Sequence, residues 1–98
     1  MIGIDITKIS RFNPNRLNRY NKKFGTNYST VKEVAKYWAC FEALIKAEGR
    51  YLNFKDVSIE FSPNQSPRLR GDFGVLNHNY ILTLSHEDDL IVAIAMRK

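Results

Sequence analysis

Only one cysteine, three prolines and five glycines occur in these 98 residues, and no apolar run approaches the ~18 residues that a membrane span requires. With Cys40 alone, and within a helical pattern, a disulfide framework and a cysteine-based zinc site are excluded, and nothing demands an oxidising compartment. The start of the chain has neither the basic opening nor the apolar core of a secretory signal. A soluble, cytoplasmic protein without a membrane partner is the expectation. Repeats, low-complexity tracts and linkers are also missing, so residues 1–98 are expected to form a single domain. A chain of this length buries somewhat over ~60% of its unfolded surface, enough for one modest core.

Acid is missing over one long stretch. Arg11, Arg16, Arg19, Lys22 and Lys23 lie between Thr7 and Thr30, where no Asp or Glu occurs, and the net charge is +5. Such a patch attracts an acidic partner: a phosphate-bearing ligand, an acidic protein or nucleic acid. What is plentiful is apolar and aromatic: 44% hydrophobic residues with six Phe, five Tyr and one Trp, the content of a globular protein with an aromatic-rich core.

Ile2, Ile4 and Ile6 alternate with Gly3 and Asp5, the period of a strand with isoleucines on one face and Asp5 on the other. Asn13 and Pro14 read as cap and first position of a helix carrying Leu17, Tyr20 and Phe24 until Gly25 stops it. Thr30 with Glu33 reads as a capping box opening the longest helix, which runs to about Glu48 before Gly49. Its core stripe is Val34, Tyr37, Trp38, Phe41, Leu44 and Ile45, and about 3.6 residues per turn put Trp38, Glu42, Lys46 and Gly49 on an adjoining line. Val57, Ile59 and Phe61 predict a half-buried strand, and the Pro- and Asn-rich segment after it predicts a turn into a short strand at 68–70. Around Val75 and Leu76 one weak helical turn is suggested. Strands follow at 80–85 and 90–96, with a polar turn at 86–89 between them, and the second of these is apolar enough to be central. This order predicts an α+β domain, a largely antiparallel sheet packed on one long helix.

Glu42 is a carboxylate inside a helix otherwise patterned for burial, and such a group needs a cation, a proton or a metal nearby. An ordinary ion pair with Lys46 four residues on is the plain alternative. Asp5, distant in the chain, is in an equally apolar setting. Magnesium is held by one or two carboxylates with water and phosphate oxygens completing its shell, so Asp5 and Glu42 are candidate metal ligands and Lys46 a candidate phosphate contact. His86, beside Ser85 at a strand end, is a candidate phosphate donor or proton shuttle, against the plain alternative of a satisfied surface histidine.

These residues also form an ordered pattern. Gly3-Ile4-Asp5-Ile6, then the 38–46 segment with Glu42, Ala43, Lys46, Ala47 and Gly49, then Ser85-His86 before a final apolar strand, resemble the bacterial holo-acyl-carrier-protein synthases, members of the 4'-phosphopantetheinyl transferase family. The linking residues 52–57, with Pro67 after a turn, are similar as well. The resemblance implies the transferase fold and transfer of the 4'-phosphopantetheine arm of coenzyme A to a serine of an apo acyl carrier protein, with release of adenosine 3',5'-bisphosphate. It implies Asp5 and Glu42 as Mg2+ ligands and catalytic groups alongside His86, and Lys46, Gly49, Ser85 and His86 around coenzyme A. It further implies Arg11 at the carrier-protein side, extended by Arg16 and Arg19 as a docking face for an acidic carrier, and a homotrimer with sites between subunits. Nucleic acid is not an expected partner.

Three departures stand out. Relatives usually carry a lysine immediately before the Glu42 position, where this chain has Phe41; the glycine-rich turn after the helix is reduced to Gly49, Arg50 and Tyr51; and the 22–36 segment is short. The rival readings are a small basic RNA-binding or ribosome-associated module and a non-catalytic relative that binds a carrier protein. Against the first, the aromatics fall on core stripes and no RNA-recognition motif occurs.

Overall fold

A computed structural model of the chain describes residues 1–70 and 79–98. Strand β1 (Ile2–Lys8) leads through 3-10 turns at Ile9–Arg11 and Pro14–Arg16 into α1 (Leu17–Phe24) and the long α2 (Val31–Glu48). A 3-10 turn at Phe54–Asp56 precedes β2 (Ser58–Glu60) and β3 (Arg68–Arg70), and β4 (Tyr80–Glu87) and β5 (Leu90–Arg97) close the chain. The helical turn expected around Val75 and Leu76 lies outside the described residues.

Asn13 and Pro14, expected to open the first helix, instead open the 3-10 turn before it; α1 itself starts after Arg16, which makes no side-chain capping bond, and it ends at Gly25, while α2 begins and ends at its expected caps. The Asn13 side chain accepts from the Asn15 N–H, and that of Thr30 accepts from the Glu33 N–H at 3.3 Å. Glu33 answers by accepting from the Ser29 N–H, so the box is closed one residue early. Gly49 ends α2 in the left-handed conformation at φ 75°, which glycine adopts without a side-chain clash.

In place of one sheet the described residues form two. β5 is central between β1 and β4 in an antiparallel three-stranded sheet, while β2 and β3 pair separately as a two-stranded hairpin. β4 also runs through His86 and Glu87, so the polar turn expected at 86–89 is confined to Asp88 and Asp89, with Asp88 at φ 53°.

Two faces of α2 build the core. Tyr37 and Phe41 are buried against Phe24 and Phe54, with the Phe41 and Phe54 rings centred 4.6 Å apart. Each such ring contributes about 1.5–3 kcal/mol through burial. Ala39, Ala43 and Ala47, one turn apart and fully or almost fully buried, make a shallow bed along which β1 lies. Gly3 is essential to that contact. A methyl group there would collide with the Ala43 carbonyl oxygen and sit 2.7 Å from the Ala47 nitrogen, both backbone atoms that cannot step aside.

Because Gly3, Asp5 and Thr7 face the helix, the isoleucines alternating with them face outward. Ile2, Ile4 and Ile6 are 62%, 51% and 65% exposed. The polar face of β1 therefore packs on the core and its apolar face is open, the reverse of the usual arrangement.

Candidate active site

Close approach of β1 to the alanine bed brings Asp5 against α2. The Lys46 ammonium donates to Asp5 Oδ1 at 3.1 Å and to the Ile4 carbonyl at 3.0 Å, and the Thr7 hydroxyl donates to Asp5 Oδ2 at 2.6 Å. The Asp5 side chain is 12% exposed and that of Lys46 is 52% exposed, so this is a carboxylate held at the margin of the core by a cation in solvent. Such a half-exposed pair contributes at most about 1 kcal/mol to stability. Its significance is positional. Lys46 does not form the plain ion pair with Glu42, which is half-buried one turn earlier and has no hydrogen-bond or ion-pair partner among the described residues.

Electrostatics extends inward from this point. Cys40 is buried on the adjoining face of α2, and burial, reinforced by the Asp5 carboxylate, pushes its thiol up to about 12. Thr7, buried at 2% exposure, was not marked as a site residue by the sequence; its position two residues after Asp5, on the same strand face, is the signal that could have found it.

The donor set suits a hard divalent cation. Asp5 and Glu42 meet the one or two carboxylates that Mg2+ asks for, and Glu42 is a half-buried acceptor without a donor among the described residues. Among the described residues no three of His, Cys, Asp and Glu cluster, so any cation here relies on water and ligand oxygens for the rest of its shell.

At the other end of the same helix line, Trp38 carries the Arg11 guanidinium 4.9 Å from its ring centre. Arg11, Arg19 and Lys23 rim a cavity of about 290 Å³ whose walls are Phe12, Tyr20, Phe24 and Trp38. Arg16 is exposed at the end of its 3-10 turn, outside that lining. Trp38 and Lys46 are eight residues apart on α2, which at ~1.5 Å per residue is about 12 Å, with Glu42 between them.

Ser85 and His86 are not brought to this site within one chain. His86 is paired with Ile91, which is paired with Thr7, so two strand spacings of ~4.8 Å separate His86 from the Asp5 strand. His86 opens into a different groove of about 630 Å³, with Lys36, Glu33 and the 61–67 loop. Its Nε2–H donates to the Asp88 carbonyl at 2.9 Å, which leaves Nδ1 as the open nitrogen. Ser85 faces the other side of the sheet, opposite Val92 on the surface that holds Ile6. Gly49 is exposed at the end of α2 with open space around it, one turn beyond Lys46. Phe41 is embedded between the Tyr37 and Phe54 rings, so its position presents nothing to Asp5 or Glu42.

No protein-family model matches the chain. In sequence it is similar to the holo-[acyl-carrier-protein] synthase of Mycoplasma mobile, 29% identical over 106 aligned residues that cover 100% of this chain and 89% of that protein. In fold it is similar to the holo-[acyl-carrier-protein] synthase of Helicobacter pylori, solved in complex with coenzyme A, at a TM-score of 0.80 and 22% identity over 100% of both chains. The holo-ACP synthase of Plasmodium yoelii matches at a TM-score of 0.68 and 25% identity, covering 98% of this chain and 91% of the other. The α+β layering expected from the sequence is the fold of these enzymes.

Proposed function

We propose that this chain, which is similar to the holo-[acyl-carrier-protein] synthases in sequence and in fold, transfers the 4'-phosphopantetheine arm of coenzyme A to a serine hydroxyl of an apo acyl carrier protein. Adenosine 3',5'-bisphosphate is the other product. In this reading the serine oxygen forms a bond to the phosphorus that carries the pantetheine arm. The bond from that phosphorus to the bridging oxygen of the pyrophosphate breaks, and the serine proton passes to a base. The observation that carries the reading is the contact of Asp5 with Lys46 at the edge of α2, with Glu42 one turn before Lys46 on the same helix.

Asp5 and Glu42 would hold Mg2+, which when bound neutralises charge on the pyrophosphate. Lys46 has three donors and spends two on Asp5 and the Ile4 carbonyl, so its ammonium is fixed with the third free for a phosphate oxygen. Thr7 holds the second Asp5 oxygen and so fixes the carboxylate plane. About 12 Å along α2, the Arg11 and Arg19 rim supplies cations to an acidic carrier while the pantetheine end stays at Lys46. His86, with Nδ1 open, is the proton acceptor in this scheme, and Ser85 lies beside the nucleotide. In this reading both come from a neighbouring copy, which is supported by their place two strands from Asp5 within one chain. The open apolar face is suited to supply that copy: Ile2, Ile4 and Ile6 of β1 continue into Val92, Ile94 and Met96 of β5 and Ile81 of β4. A homotrimer in the cytoplasm, with sites shared between subunits, is the assembly proposed.

Incubation with coenzyme A, Mg2+ and an apo carrier protein, read by mass spectrometry, is expected to give one phosphopantetheine adduct per carrier, and chelation with EDTA is expected to stop it. Asp5→Asn and Glu42→Gln should each slow adduct formation by at least ~100-fold while leaving the circular-dichroism spectrum unchanged. Wild-type rates in both variants would remove the proposed metal site.

A further inference from the structure

The 3-10 turn Ile9–Arg11 joins the strand that carries Asp5 to the segment that carries the basic rim, yet its own N-cap residue, Lys8, makes no capping bond from its side chain. The open N–H groups at the start of a helical turn need acceptors. Here they are supplied from the far end of the chain by the β4–β5 turn. The Ile9 N–H donates to the Asp89 carbonyl at 2.8 Å, and the Ser10 N–H donates to Asp89 Oδ1 at 2.8 Å. The Ser10 hydroxyl donates to Asp89 Oδ2 at 2.5 Å, so both carboxylate oxygens are engaged by one residue. Bonds of this kind to a charged acceptor are shorter and stronger than neutral ones, and a two-oxygen grip fixes orientation as well as distance.

Arg11 is the last residue of the turn so clamped, and its guanidinium stands 4.9 Å over Trp38 and 5.9 Å from the Phe12 ring centre. Without the clamp, a three-residue 3-10 turn has too few internal hydrogen bonds to keep its own geometry. The same two-residue β-turn also receives the His86 ring on the Asp88 carbonyl, so one support serves the histidine and the arginine edge together.

We propose that Asp89 is a positioning residue: it caps the 3-10 turn from across the molecule and thereby holds Arg11 over Trp38, in the orientation that receives the acidic carrier protein. The docking part of this inference rests on the transferase reading; the coupling of Asp89 to Arg11 does not.

Trp38 is the only tryptophan, so its fluorescence reports the guanidinium above it. Asp89→Ala is expected to shift Trp38 emission in the same direction as Arg11→Ala, and the double variant to shift it no further than Arg11→Ala alone. In steady-state transfer assays Asp89→Ala is expected to raise KM for the apo carrier about five- to tenfold, with kcat and KM for coenzyme A within about twofold of wild type. Asp89→Asn, which keeps an acceptor for the Ser10 N–H, should recover part of the loss. A general loss of folding would instead lower the apparent kcat and leave both KM values unchanged, because it only removes active enzyme. Unchanged Trp38 emission in Asp89→Ala overturns the coupling. Shifted emission with an unchanged carrier KM overturns the docking role. Should the wild-type chain transfer nothing, the transferase reading fails while the emission measurements still decide whether Asp89 positions Arg11.

Discussion

Cys40 is a sensitive reporter of how tightly β1 lies on α2. Its thiol is buried next to the helix face that receives Asp5, and burial with that nearby carboxylate raises it from 9.0 to about 12. Since the thiolate is the nucleophile, at pH 8 about one native thiol in ten thousand is reactive. Iodoacetamide is therefore expected to leave the folded chain unlabelled at pH 8 and to label it fully in denaturant, with the labelled fraction following the unfolding curve. Labelling of the native chain at the rate of a free cysteine would mean that the strand does not stay on its alanine bed. The same shift sets a pH dependence. Between pH 9.0 and about 12 the unfolded thiol gives up its proton and the folded one keeps it, so stability falls as pH rises through that window.

At the scale of elements, α2 organises both the site and the far side of the molecule. Its lateral face carries Trp38, Glu42 and Lys46, while its buried face sends Tyr37 toward the 54–57 segment. The Tyr37 hydroxyl lies 3.3 Å from the Phe54 carbonyl and 3.2 Å from the Val57 carbonyl and donates its one proton to them. Tyr28 does the same for the Ile59 carbonyl at 3.3 Å, so two tyrosines tie the 54–59 segment to α2 and to the loop before it. Tyr37→Phe leaves two carbonyl oxygens without that donor and is expected to cost about 1–2 kcal/mol in urea unfolding. Amide exchange should rise first at Val57 and Ile59, with β1 and β5 retaining their protection, because the three-stranded sheet does not depend on this tie. Uniform loss of protection would show that the hairpin and the main sheet unfold as one unit.

For the molecule as a whole, the decisive feature is the sheet face turned away from α2. Ile2, Ile4 and Ile6 stand open next to Val92, Ile94 and Met96, a contiguous apolar surface of the kind that marks an interaction site. Ile4 lies near the middle of its strand and is cross-strand partner to Ile94. Ile4→Asp places a charge where a neighbouring copy is proposed to pack. Analytical ultracentrifugation is expected to report monomer for this variant, with native circular dichroism and a loss of transfer activity of at least ~tenfold, since Ser85 and His86 no longer reach another copy's Asp5. An assembly state equal to wild type in Ile4→Asp would remove this face from the proposed interface.

Local chemistry made much of this protein legible in its sequence. Gly25, Thr30 and Gly49 marked helix boundaries, because caps and glycine stops act within a turn of the backbone, whereas Asn13 caps the 3-10 turn that precedes α1. Asp5, Glu42 and Lys46 were recognisable as candidates because a carboxylate amid apolar neighbours is costly wherever it falls. Packing decided what local pattern could not. The alternation in β1 separated isoleucines from Asp5, yet which face meets the core depended on Gly3 fitting the Ala43 and Ala47 backbone, a contact between residues about 40 positions apart. Lys46 choosing Asp5 over Glu42, Ser85 and His86 parting to opposite faces of β4, and Asp89 capping Ser10 from 79 residues away follow from the same cause. Short-range propensities act along the chain, whereas partners for buried charges and open N–H groups are chosen by whatever the fold brings within hydrogen-bond reach.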